Sequence, residues 1–215
     1  KISPYWCGVN SVVESMRNVA ATGATPHAIT DCLCFGNPEN PEQMWQFAEA
    51  TKGVADACKG IRLKHNTDHT VPIIAGNVSF YNESSAGAIP PSPIVSCLGR
   101  LSDVDKAITA GFKKNDSKII LIGERKKELG GSLYYSLFNH LGKDLPKPNL
   151  DGVESEIWAL TDLIDNRLVL SAHDISDGGL AITLSEMSFY NEIGFEVKIN
   201  NANRPDIWLF SETGG

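Results

Sequence analysis

The sequence predicts an α/β (α+β) protein, and three observations carry that reading. Apolar residues recur at intervals of three and four through residues 9–20 and again through 44–58, the period of an amphipathic helix. The run Ile119-Ile120-Leu121-Ile122 is continuous in apolar residues, as strands covered on both faces are. Between Leu168-Val169-Leu170 and a helical segment at 180–190 stands His173-Asp174-Ile175-Ser176-Asp177-Gly178-Gly179, an acidic, glycine-rich connection. Such a connection presents carboxylates and backbone N–H groups together, an arrangement that holds phosphate directly or through a metal ion.

The first helix follows Ser3-Pro4, with Val9, Val12, Val13, Met16, Val19 and Ala20 on one face and Gly23 as its stop. Residues 28–30 form a short strand that runs into Asp31. Asn40 caps the next helix with Pro41 at its first position, and Met44, Phe47, Ala48, Thr51, Val54, Ala55 and Cys58 make its buried stripe. The polar segment 59–70 reads as an exposed loop. A strand over 71–75 is expected to break at Gly76-Asn77 and resume over 78–81. Three prolines (Pro90, Pro91 and Pro93) place a domain boundary near residue 89, giving domains 1–89 and 90–215.

The second part alternates. Strands are expected over 94–97, 118–123, 168–171, 195–199 and 207–210. Helices are expected from a Ser102 or Asp103 cap through 112, over 132–140, from an Asp151 cap with Val153, Ile157, Leu160 and Ile164 on its face, and from Leu180. The chain reads as beginning in mid-fold and ending at a cut, and hence as a piece of a longer protein.

The 215 residues carry a net charge of −7, which argues against a nucleic-acid surface. An acidic protein that binds phosphate recruits Mg²⁺ or backbone amides rather than a basic field. No segment reads as a signal peptide or membrane span. The five cysteines are odd in number and lack a framework spacing, so reduced thiols and a cytoplasmic location are expected. Cys32 and Cys34 form a C-x-C without a second pair, which argues against a structural zinc site. No Ser-His-Asp or Cys-His arrangement is recognisable, so no nucleophilic residue is expected.

Three clusters can carry chemistry, and each has a plainer reading. Asp31 at a strand end either faces a ligand crevice or caps a turn. Gly76 either lets a ligand approach the backbone or marks a bulge. Asn77 beside it offers a hard amide oxygen suited to Mg²⁺, and Ser79 shares its face if the strand is regular. His173, Asp174 and Asp177 are metal ligands, a phosphate rim or caps, with Asp177 as an N-cap before the two glycines.

Several stretches together resemble one family. They are Arg17-Asn18-Val19-Ala20-Ala21-Thr22-Gly23-Ala24, Ile29-Thr30-Asp31-Cys32-Leu33-Cys34-Phe35-Gly36-Asn37-Pro38-Glu39-Asn40-Pro41-Glu42 and Gly76-Asn77-Val78-Ser79-Phe80-Tyr81-Asn82-Glu83. Ala172-His173-Asp174-Ile175-Ser176-Asp177-Gly178-Gly179-Leu180-Ala181 and Leu209-Phe210-Ser211-Glu212 complete the set. In order and spacing these resemble the phosphoribosylformylglycinamidine synthase family at its synthetase subunit, in the second of that subunit's two homologous halves.

The resemblance implies the rear of an A domain followed by a B domain, of the aminoimidazole-ribonucleotide-synthetase-like fold. It implies an ATP-dependent ligase of purine biosynthesis, with formylglycinamide ribonucleotide as substrate, Mg²⁺ as cofactor, and glutaminase and small bridging subunits as partners. By motif, Asp31 and Gly76 would contact ATP, Asn77 would bind Mg²⁺ and Ser79 would touch the substrate. His173, Asp174 and Asp177 would mark a secondary nucleotide or metal position. Cys34 departs from the family pattern, which has Asn there. Alone, the piece is expected to be inactive, able to self-associate, and at most a nucleotide-binding or interface module. Another ATP-dependent enzyme of the same superfamily is the alternative reading.

Overall fold

The computed structural model describes residues 2–199 and 204–215. Helix α1 (Pro4–Ala21) starts from Ser3, whose hydroxyl accepts the Trp6 N–H, and stops before Gly23, at φ +92°. Strand β1 (Thr25–Cys34) is longer than the three residues expected. Helix α2 (Pro41–Gly60) begins as its sequence dictates, with the Asn40 side chain accepting from Glu42 N and proline in the first turn. The segment expected as a loop over 59–70 is exposed but structured. After α2 it forms a hairpin of β2 (Arg62–Leu63) and β3 (Asn66–Thr70).

Strand β4 (Ile73–Ser79) runs unbroken through Gly76 and Asn77, contrary to the expected interruption. A small hairpin of β5 (Glu83–Ser84) and β6 (Gly87–Ala88) follows, then β7 (Ser92–Arg100). The main sheet has the order β4-β1-β7. β1 pairs with β4 in parallel, from Ile29–Ile73 to Cys34–Ser79, with one irregularity that leaves Ile74 unpaired between the Ile29–Ile73 and Thr30–Ala75 partners. On its other side β1 pairs antiparallel with β7, as far as Cys34–Ser92. The division expected at residue 89 therefore falls between strands of a connected region, because β7 beyond it is the sheet partner of β1.

Alternation gives the sheet two unlike faces. Ile29 and Leu33 of β1 and Val95 and Cys97 of β7 turn toward the helices. Ile29, Val95 and Cys97 meet Val9, Val12, Val13 and Met16 of α1 and Val54, Ala57 and Cys58 of α2, while Leu33 gathers with Phe35 and Ala50. Phe47 of α2 packs edge-on against Phe35 and Phe80, closing one end of this core. Thr30, Cys32 and Cys34 turn to the other face, where Ile94, 56% exposed, and Leu98 also lie.

The second part follows its expectations in helices more than in strands. Asp103 caps as expected, accepting from Asp105 N, but only a 3-10 turn at Val104–Lys106 forms. The donors a longer helix would need go elsewhere: Ile108 N to Thr22 O at 3.2 Å and Phe112 N to Met187 O at 2.9 Å. Helix α3 (Leu133–Ser136) is capped by Ser132, and α4 (Leu150–Asp165) follows Asn149. Asp151 sits in the first turn of α4 rather than at its cap. Val153 and Ile157 of α4 join the core under α1, so this helix ties the second part to the first.

Helix α5 (Gly179–Phe189) starts where expected, and Leu180, Leu184 and Met187 gather with Ile175, Phe112, Leu121, Val197 and Trp208 into a second core. The strand expected over 207–210 is instead α6 (Pro205–Phe210), opened by a proline suited to a first helical turn. The segments 118–123, 168–171 and 195–199 form no strand, with Ile120 78% and Leu168 71% exposed. A strand needs a paired neighbour for its N–H and C=O groups, and among the described residues none of these segments is paired in a sheet. Among those residues no helix is long and apolar enough to cross a membrane.

Candidate functional site

Register brings the predicted residues of β1 and β4 side by side. Asp31 is the partner of Gly76, Cys32 of Asn77 and Cys34 of Ser79. The Asp31 carboxylate leans over Gly76: a Cβ there would lie 3.0 Å from Asp31 Cγ and closer still to Oδ1. A side chain at 76 would require the carboxylate to turn aside. Asp31 turns toward the helix side, near Cys58, and burial raises its pKa above the ordinary carboxylate value.

Asn77 and Ser79 share the opposite, open face, as their spacing of two predicts. Asn77 Nδ2 donates to Cys32 Sγ at 3.2 Å, leaving the amide oxygen for another partner. Ser79 Oγ donates to Asn82 Oδ1 at 3.2 Å, while Asn82 Nδ2 donates to the carbonyls of Phe35 and Ser79 at 2.9 and 2.8 Å. Asn82, within the third matching stretch, is thus the residue that fixes Ser79.

The four residues do not converge on one face. They converge on one edge, because β4 is the outermost strand and exposed along its length. A ligand set against that edge can meet backbone groups of β4 and side chains from both faces. One amide oxygen and one hydroxyl are too few to hold Mg²⁺ alone. They fit an ion that keeps water and takes its other ligands from phosphate oxygens.

The acidic loop has different surroundings. His173 Nδ1 lies 2.8 Å from the Asp174 carbonyl and 3.2 Å from its carboxylate, and Nε2 lies 3.3 Å from Glu186. With its amide oriented by these neighbours, Asn18 of α1 donates to both Asp174 oxygens at 2.8 and 3.0 Å. Glu14, Asn18, His173, Asp174 and Glu186 line an open cleft, and Asp177 is exposed and outside its lining.

Burial, with Asp174 and Asp177 adding to it, raises the Glu14 pKa. The hydrogen bond to Asp174 raises that of His173 against an opposing effect of burial. Asp174 and His173 are committed to neighbouring side chains, and among the described residues no group of three or more His, Cys, Asp or Glu is arranged to hold a metal ion. Glu14 and Glu186 carried no sequence signal, whereas Asn18 sat inside the first matching stretch.

The glycines of the loop serve packing. Gly178, not Asp177, holds the cap position of α5, at φ +78°. A Cβ on Gly179 would come within 2.6 Å of Ser211 O and 2.8 Å of Leu209 O. Glu212 Oε1 accepts from Gly178 N and Leu133 N, both at 2.8 Å. The half-buried Arg125 guanidinium donates to the carbonyls of Trp208, Ser211 and Thr213, and desolvation lowers its pKa to about 10. The acidic loop and the Leu209-Phe210-Ser211-Glu212 stretch are two sides of one packed junction.

Comparison with known proteins places the chain in one family. The AIR synthase related protein N-terminal domain matches residues 1–101, and the AIR synthase related protein C-terminal domain matches residues 114–215. The chain is similar to phosphoribosylformylglycinamidine synthase subunit PurL of Methanothrix thermoacetophila, at 46% identity over 100% of this chain and 28% of that protein. The same subunit of Moorella thermoacetica is 42% identical over 99% of this chain and 28% of its own length. The chain therefore spans about 28% of the length of these curated relatives. Among solved structures, Thermotoga maritima PurL complexed with FGAR shares the fold, with a TM-score of 0.69 over 99% of this chain and 34% of that one at 17% identity.

Proposed function

The chain belongs to the AIR synthase related family, and on that premise we propose that it is part of a phosphoribosylformylglycinamidine synthase, an ATP-dependent carbon–nitrogen ligase. The reaction takes formylglycinamide ribonucleotide, ATP and glutamine-derived ammonia to formylglycinamidine ribonucleotide, ADP and phosphate. The glutaminase and small bridging subunits that deliver the ammonia are its partners in this reading. The observation that carries it is the β1–β4 register, which assembles Asp31, Gly76, Asn77 and Ser79 along one accessible strand edge.

ATP activates the amide oxygen, and ammonia then displaces phosphate, so the protein needs positioned dipoles and no covalent nucleophile. In this reading Gly76 admits the nucleotide to the backbone of β4, and Asp31 receives one of its donor groups. Ser79, steadied by Asn82, hydrogen-bonds the substrate. Mg²⁺, held with Asn77 and the phosphates, would neutralise charge on the transferred group. The domain division belongs between residues 101 and 114, with α4 reaching back to the first unit's core.

The test uses the complete protein with an ammonium salt. ATP consumption should depend on formylglycinamide ribonucleotide, and turnover of ATP that ignores this compound sinks the reading. The packing of the acidic loop favours a structural role for His173 and Asp174 over a second catalytic centre.

A further inference from the structure

From the open face of the sheet we infer that Cys32 and Cys34 form a chelating dithiol for a thiophilic divalent cation of zinc's size. The two Sγ atoms lie 3.6 Å apart. Both residues belong to the central strand, held by ladders on either side, so their backbone separation is fixed before any ion arrives. Both are partly exposed, on the face away from the helices.

Bond lengths decide what such a pair can bind. Two thiolates at about 2.3 Å from a tetrahedral ion stand about 3.8 Å apart, close to the spacing present. A disulfide would need the sulfurs to close to about 2.05 Å across a two-residue strand step of about 6.7 Å, the upper end of the range disulfides span. The cation therefore fits the spacing present, whereas a disulfide requires the sulfurs to draw together by about 1.5 Å. Binding releases two thiol protons and forms two metal–sulfur bonds. Two protein ligands leave positions for water, giving an exchangeable site rather than a structural one.

The other thiols stand apart from this pair: Cys58 is buried, Cys97 faces the helices and Cys7 lies in α1. Because Asn77 Nδ2 touches Cys32 Sγ, an ion here would also crowd the proposed nucleotide edge. That consequence rests on the proposed function; the binding does not.

The experiment titrates the protein with Cd²⁺ under reducing, thiol-free conditions and reads thiolate-to-metal charge-transfer absorption, with Zn²⁺ as competitor. One equivalent should bind, displaceable by Zn²⁺. Cys32→Ser and Cys34→Ser should each lower that affinity about a hundredfold, the advantage of a second ligand already in place. Cys7→Ser should leave it unchanged, and circular dichroism checks that every variant is folded. A first equivalent that survives either single substitution in a folded variant, or that is lost with Cys7→Ser, overturns the assignment.

Discussion

The carboxylate of Asp31 lies across Gly76, its ladder partner on β4, and fills the space that a Cβ would take. Gly76→Ala is therefore expected to turn the Asp31 side chain aside, at a cost of about 0.5–1.5 kcal/mol for an off-rotamer carboxylate. Asp31→Ala in the same chain should recover part of that loss. Urea unfolding of the two single variants and the double variant measures the coupling, and strictly additive losses would show that the two residues do not meet.

Asn77 is exposed, and among the described residues only Cys32 holds its amide. Asn77→Ala should change stability by less than about 0.5 kcal/mol, as surface substitutions do. In the complete protein it should weaken Mg-ATP binding about tenfold or more, the scale of a lost contact to a charged group. Calorimetry with and without Mg²⁺ separates the two effects. Unaltered affinity would remove Asn77 from the site.

Stability should fall as pH rises across the cleft's titration range. The Glu14 pKa is raised from 4.5 by burial and by Asp174 and Asp177, so the folded state holds the proton more tightly than the unfolded chain. Its stabilisation is complete below that unfolded value and is lost as pH passes the folded one. His173, raised from 6.5 chiefly by Asp174, behaves in the same sense at higher pH. Glu14→Gln should raise stability at neutral pH, and His173→Asn should flatten the curve above about pH 6.5. Unfolding free energy followed between about pH 4 and 9 checks both signs.

Arg17 of α1 and Glu156 of α4 pair at 2.8 Å, with little of the arginine side chain exposed. Arg17→Ala should cost about 1–3 kcal/mol by leaving a carboxylate without its partner. Adding Glu156→Ala should cost less than the sum of the two single changes. Thermal unfolding of the cycle reports how firmly α4 is fastened to the first unit.

Helices were legible because each advertises itself locally. The Asn40-Pro41 start and the Val153–Ile157–Ile164 face needed no tertiary information, whereas of the stripe expected from Met44 to Cys58 only Val54 and Cys58 are fully buried, and Met44 and Ala48 are exposed. Strands were less so. The run at 118–123 is apolar enough for a buried strand, but a ladder depends on a neighbour that composition does not reveal. A short apolar run such as 207–210 suits helix and strand alike, and Pro205 decides for helix. At the site, the identities of Asp31, Gly76, Asn77 and Ser79 were readable from motif. That Asp31 looks toward the helices while Asn77 looks away was not, because facing depends on how two distant segments align.

That alignment turns on Ile74, the residue left over between the Ile29–Ile73 and Thr30–Ala75 pairs. Were the ladder to run on regularly through Ile74, Ala75 would stand opposite Asp31, with a methyl where the carboxylate needs room. Asn77 would then stand opposite Leu33 and point into the helices, and Val78 would take its place outside. The side chains that meet ligand are thus set by a reading frame along β4. A single surplus residue three positions upstream of Asn77 keeps that frame.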